Sequence, residues 1–180
     1  RSRKRQDWED MAEMKVAVVG AAGRMGREVL KALAASPDFE VVAAIDRELV
    51  GTNCQELVGG KGPNIEIEDK LGAALDRTKP DALVDLSNAS GATAHALSAL
   101  TRGISPVIGT TGLSESSIRE LASASKETKT PGIYVPNFAI GAVLMMRFAQ
   151  IAAKWLPNCE IIELHHDKKE DAPSGTAILT

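Results

Sequence analysis

The chain has 180 residues, of which 44% are hydrophobic and 25% charged, the proportions of a folded globular protein with one domain, or one domain and part of another. No apolar run approaches the roughly 18 residues of a spanning helix, and glycine and proline follow no period, which excludes a membrane-spanning or collagen-like chain. The net charge is -3 and basic residues cluster only between Arg1 and Arg5, so there is no electrostatic reason to expect a nucleic-acid partner.

Residues 1–13 mix basic side chains (Arg1, Arg3, Lys4, Arg5) with acidic ones (Asp7, Glu9, Asp10, Glu13) and contain no apolar core of a signal peptide. They read as a solvated tail, with Met14 a candidate natural start. Short β-rich runs then alternate with helical stretches: a strand at 15–20, a helix at 24–35, and a strand at 40–46 make a βαβ unit. The rhythm continues with a strand at 64–68, a short helix at 69–77, a strand at 81–87 and a helix at 91–102. A strand at 105–110, a helix at 114–127 and a strand at 132–136 close the series. Strands such as VAVV and ALVDL are almost continuously apolar, as when helices cover both faces of a parallel sheet. The expected fold is α/β, a doubly wound Rossmann-type sheet over 14–137.

Past Asn137 a long helix is expected at 139–156, broken by Pro157 and Asn158, then a strand at 159–166. Residues 138–180 read as the start of a second domain, expected to be partial because Leu179 and Thr180 fall inside a new helix. Cys54 and Cys159 are too few for a disulfide framework, which points to a reducing compartment and a cytoplasmic location.

Two segments concentrate chemistry. Gly20-Ala21-Ala22-Gly23-Arg24-Met25-Gly26 lies where the first strand turns into the first helix, a place where glycines admit a pyrophosphate to the backbone and the helix N-terminus offers free N–H groups. The spacing is G-x-x-G-x-x-G, so by itself the turn could simply pack helix on strand. Asp46, 20 residues past Gly26 at the end of the second strand, is placed to accept from an adenosine ribose and favours dinucleotide binding. Arg47 either holds a 2′-phosphate or stands exposed beside Glu48, which leaves NADH and NADPH both open.

The second segment runs from Glu163 to Thr176 and holds His165, His166, Lys168 and Lys169. On a strand, His165 and His166 point to opposite faces, so a shared metal is not expected. The residues alone allow either a polar surface hairpin or an anion site, in which Lys169 and the Ser174-Gly175-Thr176 helix start grip carboxylates.

The run ELHHDKKEDAPSGTA is similar to the signature of the dihydrodipicolinate reductases, also called 4-hydroxy-tetrahydrodipicolinate reductases. GAAGRMG, GTTG at 109–112 and VPNFAIG at 135–141 resemble the same family, in the same order. The resemblance implies a homotetrameric two-domain reductase of the diaminopimelate route to lysine, with NADH or NADPH reducing 4-hydroxy-tetrahydrodipicolinate to tetrahydrodipicolinate, and makes 138–180 the start of its α+β substrate and oligomerisation domain. It implies further that Gly20, Ala21, Ala22, Gly23, Arg24 and Met25 form the pyrophosphate turn, Asp46 and Arg47 the ribose end, and Gly109, Thr110 and Thr111 the contact beneath the nicotinamide. Val135, Pro136, Asn137 and Phe138 would line the cofactor at a hinge. His165 and Lys169 match the family's proton donors, and His166, Ser174, Gly175 and Thr176 its substrate-carboxylate binders.

Quieter readings stand beside these. GTTG can be an ordinary turn with Thr111 or Ser114 capping the next helix, Asn137 a turn residue, His95 a structural histidine, and Met145, Met146, Phe148 and Trp155 packing residues. Asp85-Leu86-Ser87-Asn88-Ala89 departs from the family's usual turn after the fourth strand, so Ser87 and Asn88 are left out of the expected cofactor site. The segment is expected to bind cofactor more readily than it turns over. The rival functions are another two-domain dehydrogenase acting on an amino acid or its semialdehyde, and a dinucleotide-sensing or scaffold module without hydride transfer.

Overall fold

A computed structural model describes residues 13–135, 137–156, 158–164 and 177. In chain order the elements are β1 (Met14–Val19), α1 (Arg24–Ala34), β2 (Phe39–Ile45), α2 (Cys54–Leu57), β3 (Ile67–Glu68) and α3 (Leu71–Thr78). They continue with β4 (Ala82–Asp85), α4 (Ala89–Leu100), β5 (Ser105–Ile108), α5 (Glu115–Thr128), β6 (Ile133–Tyr134) and α6 (Ile140–Ala152). The strands form one sheet in the order β3-β2-β1-β4-β5-β6, and every pairing is parallel. The order in which strands are added reverses between β1 and β4, the switch point at which ligands bind in such sheets.

The apolar strands are explained by burial on both faces. Val16 and Val18 of β1 point into one core with Leu30, Val41, Ala44, Cys54 and Ile67, while Ala17 and Val19 point into another with Ala43, Ile45, Leu75, Leu83 and Ala99. Alternate side chains thus serve opposite layers, and a helix on each side removes both from water. In α4, the alanines at positions 92, 96 and 99 are fully buried, and their small side chains let the helix lie close against the sheet.

Several boundaries depart from the sequence expectation. Residues 64–66 belong to no named strand, because they pair back on the loop before α2: Cys54 N–H donates to Ile65 O at 2.8 Å, and Asn53 bridges Glu66 antiparallel. α2 itself was not expected; four residues are too short to show a period, although Asn53 and Glu56 have the spacing of a capping box. α6 ends at Ala152, where Trp155 and Leu156 N–H both reach back to Ala152 O. Residues ahead of a proline disfavour helical backbone, and Pro157 follows.

The strand expected at 159–166 is not formed over its described part, Cys159–Leu164. A strand needs a neighbour to take its backbone groups, and among the described residues none lies alongside. Ile162 is 82% and Leu164 91% exposed, so these two apolar side chains pack on little among the described residues.

Candidate functional site

A cleft of about 420 Å³ opens at the C-terminal ends of β1, β2 and β4, at the switch point of the sheet. Gly20 and Gly23 line its floor, Asp46, Arg47 and Glu48 one side, and Ser87, Asn88, Gly91 and His95 the other. Its size falls within the range of small-molecule and cofactor sites.

The turn at its floor is built by glycines for stated reasons. Gly20 has φ +80° and a Cβ there would lie 2.7 Å from the Leu86 backbone carbonyl, so neither the conformation nor the space admits a side chain. A Cβ on Gly26 would lie 2.0 Å from Gly20 O, so glycine there lets α1 start directly on the turn. Ala21 and Ala22 are buried beneath it. No side chain caps α1, which leaves the positive end of the helix facing the cleft, as an anion requires. Arg24 and Met25 stand exposed on the first turn of α1 and do not line the cleft.

Asp46 has a task that the sequence did not reveal. Its Oδ2 accepts from Ala22 N–H at 2.9 Å and its Oδ1 from Glu48 N–H at 3.0 Å, so the carboxylate ties the end of β2 to the glycine turn. Each oxygen keeps a further lone pair for a ribose hydroxyl. Arg47 is exposed and makes no ion pair among the described residues, Glu48 included.

Gly109, at the end of β5, has space for no side chain: a Cβ would lie 2.4 Å from the Phe138 ring and 2.7 Å from the Leu86 side chain. Phe138 is thereby held against the GTTG turn. Thr110 is buried, with its hydroxyl 3.4 Å from Asp85 Oδ1, and Thr111 is exposed. Ser114, not Thr111, caps α5 by accepting from Ser117 N–H at 3.1 Å. Val135 is half-buried after β6, and Asn137 Oδ1 accepts from Ala139 N–H at 2.8 Å. Pro136, His165, His166, Lys169, Ser174, Gly175 and Thr176 lie outside the described residues.

The cleft also contains residues that the sequence reading left aside. Ser87 and Asn88 form its β4 side, and Asn88 caps α4 by accepting from Gly91 N–H at 3.0 Å. His95, read as structural, does bond a buried group, since its Nδ1 lies 2.8 Å from Asp85 Oδ2, but the ring also lines the cleft. The signal for Ser87 and His95 was Asp85 itself, an acid at the end of an apolar strand that has to find donors once buried. No group of three or more His, Cys, Asp or Glu side chains able to hold a metal is present among the described residues.

A doubly wound parallel sheet, with a glycine turn opening onto a cleft at its switch point, defines a Rossmann-type domain. The family model for the N-terminus of dihydrodipicolinate reductase matches residues 14–138, and that for the C-terminus matches residues 141–180. The chain belongs to the dihydrodipicolinate reductase family.

It is 49% identical over 166 residues to the 4-hydroxy-tetrahydrodipicolinate reductase of Syntrophomonas wolfei, covering 92% of this chain and 62% of that protein. Against the enzyme of the same name from Moorella thermoacetica it is 44% identical over 170 residues, covering 94% of this chain and 64% of that one. Among solved structures it is similar to a dipicolinate-bound dihydrodipicolinate reductase from Paenisporosarcina sp. TG-14. That likeness has a TM-score of 0.74 at 36% identity and covers 93% of this chain and 63% of the other. The chain therefore spans less than two thirds of the length of these relatives.

Proposed function

We propose that this chain is the cofactor-binding part and the start of the substrate domain, 14–137 and 138–180, of a 4-hydroxy-tetrahydrodipicolinate reductase of lysine and diaminopimelate biosynthesis. The observation that carries the reading is the cleft at the switch point, where the uncapped start of α1, the glycine turn and Asp46 converge in a chain of this family. The residues present fit a nicotinamide dinucleotide. Gly20, Gly23 and the first N–H groups of α1 suit a pyrophosphate, and Asp46 retains acceptor capacity for the adenosine ribose. The exposed guanidinium of Arg47 suits a 2′-phosphate and Asp46 a free 2′-hydroxyl, so the cofactor is NADH or NADPH.

When bound, the dinucleotide supplies the hydride. The chain's own residues orient it and manage protons and charge. Phe138, packed on Gly109, closes the β5 end of the site beside Thr110 and Thr111. His165 and Lys169 donate the proton that the reduced ring needs, a task suited to imidazole and to a lysine perturbed by its site. His166 and the Ser174-Gly175-Thr176 turn hold the two carboxylates of the substrate. These roles are supported by the motif run and by the family match over 141–180. The full protein is expected to work as a homotetramer.

The test is a fluorescence titration of the chain with NADH and NADPH, followed by oxidation of the reduced cofactor with freshly generated 4-hydroxy-tetrahydrodipicolinate in the protein's longest form. Lys169→Ala should retain cofactor affinity and lose substrate-dependent oxidation. Binding of neither cofactor would refute the reading, and unimpaired oxidation by Lys169→Ala would refute the role of that lysine.

A further inference from the structure

Asp85 and His95 form a partly buried pair on the β4 side of the cleft for which the glycine turn gives no reason. Asp85 ends β4 and is fully buried. Its Oδ1 accepts from Ser87 N–H at 2.9 Å and from Ser87 Oγ at 2.6 Å, with Thr110 Oγ1 at 3.4 Å, and this directs Oδ2 to His95 Nδ1 at 2.8 Å. His95 lies ten residues on, in α4. Its ring rests over Gly91, where a Cβ would come within 2.9 Å of Cε1, so a glycine in α4 makes room for it. A quarter of the side chain remains exposed, on the cleft.

A ring nitrogen facing an ionised carboxylate carries the hydrogen, which in the neutral ring leaves Nε2 as an acceptor. Nε2 has no hydrogen-bond partner among the described residues. We propose that Asp85 sets the tautomer of His95 so that Nε2 receives a hydroxyl of the dinucleotide's second ribose, the one beyond the pyrophosphate. This rests on the cofactor reading above.

The layout of the cleft decides which ribose. Asp46, Arg47 and Glu48 stand at the end of β2, the glycine turn lies between, and Ser87, Asn88 and His95 stand past the end of β4. A dinucleotide with its adenosine ribose at Asp46 crosses the turn with its pyrophosphate and brings its other ribose to the β4 side. A hydroxyl both donates and accepts, so it pairs with bare Nε2 or with the Nε2–H of imidazolium, whereas a phosphate oxygen matches only the second. His95 is the contact in this arrangement and Asp85 a positioning residue.

His95→Asn separates contact from scaffold. Its short amide can still donate to Asp85 where Nδ1 did, but nothing remains at the Nε2 position. Calorimetric titration of both proteins with ADP-ribose and with ADP, which stops at the pyrophosphate, should show ADP-ribose weakened by about five- to tenfold, the loss of one neutral hydrogen bond, with ADP unchanged. Equal affinity of the two proteins for ADP-ribose would overturn the proposal, as would equal losses for both ligands. A wild-type chain that binds neither ligand would instead remove the cofactor reading, and this inference with it. Independently of any variant, the nitrogen-15 spectrum of the wild-type histidines in alkaline buffer should show His95 protonated at Nδ1. Protonation at Nε2 would overturn the role given to Asp85.

Discussion

Asp85 shows how one residue carries opposing forces. Burial raises the pKa of its carboxyl, but the hydrogen bonds from His95 and Ser87 outweigh burial and hold it below the ordinary carboxylate range. A carboxyl lowered by folding adds stability above its unfolded pKa, about 3.9, and that stability is lost as pH falls through the lower folded value. Urea midpoints should therefore drop as pH falls below about 4. Asp85→Asn should be less stable at neutral pH, since it turns an acceptor toward the donors of Ser87 and His95 into a part donor, and its acid slope should be shallower. An identical acid slope in the two proteins would show that the pair is not coupled to folding. Gly20 and Gly26 were legible as glycines of a turn; the contact with the Leu86 carbonyl that forbids a side chain at Gly20 joins separate segments and could not be read from spacing.

At the scale of elements, two helix caps that look alike in sequence differ in what they support. Ser114 caps α5 through its bond from Ser117 N–H, away from the cleft, and Asn88 caps α4 while lining it. Either change to alanine should cost about 1 kcal/mol of stability, the usual worth of such a cap. Only Asn88→Ala should also weaken NADH binding, because it loosens the start of the helix that carries His95. Paired chemical denaturation and NADH titration of the two variants check this, and equal effects on NADH would deny the cleft any special dependence on α4. The helices and long strands were legible because their apolar runs are long enough to stand out between turn residues. β3 was legible only as part of a longer strand at 64–68, and α2 was not legible, because a four-residue helix is too short to carry a period and residues 64–66 turn instead to a bridge between Asn53 and Glu66.

For the molecule as a whole, the cleft lies between β1, β2 and β4, so a ligand there bridges elements that unfold together. NADH at a hundred times its Kd should raise the unfolding free energy by about 2.7 kcal/mol. Gly26→Ala, which would push α1 off the turn through a 2.0 Å contact with Gly20 O, should abolish that increment. Thermal unfolding with and without NADH decides, and an undiminished increment in the variant would place the dinucleotide elsewhere. α6 marks the other feature of molecular scale: it buries none of its residues among those described, and Phe148 is 63% and Ile151 61% exposed. A helix so apolar is ordinarily a buried one.

The sequence by itself determined the alternation of strands and helices, the glycine turn and the family, because each of these is written in residues adjacent along the chain. Only the tertiary structure decided that Asp46 fastens the turn, that Phe138 seats on Gly109, and that Ser87, Asn88 and His95 share a cleft with them. Those contacts join side chains from different crossovers of a parallel sheet, and their meeting depends on strand order and register, which no local pattern encodes.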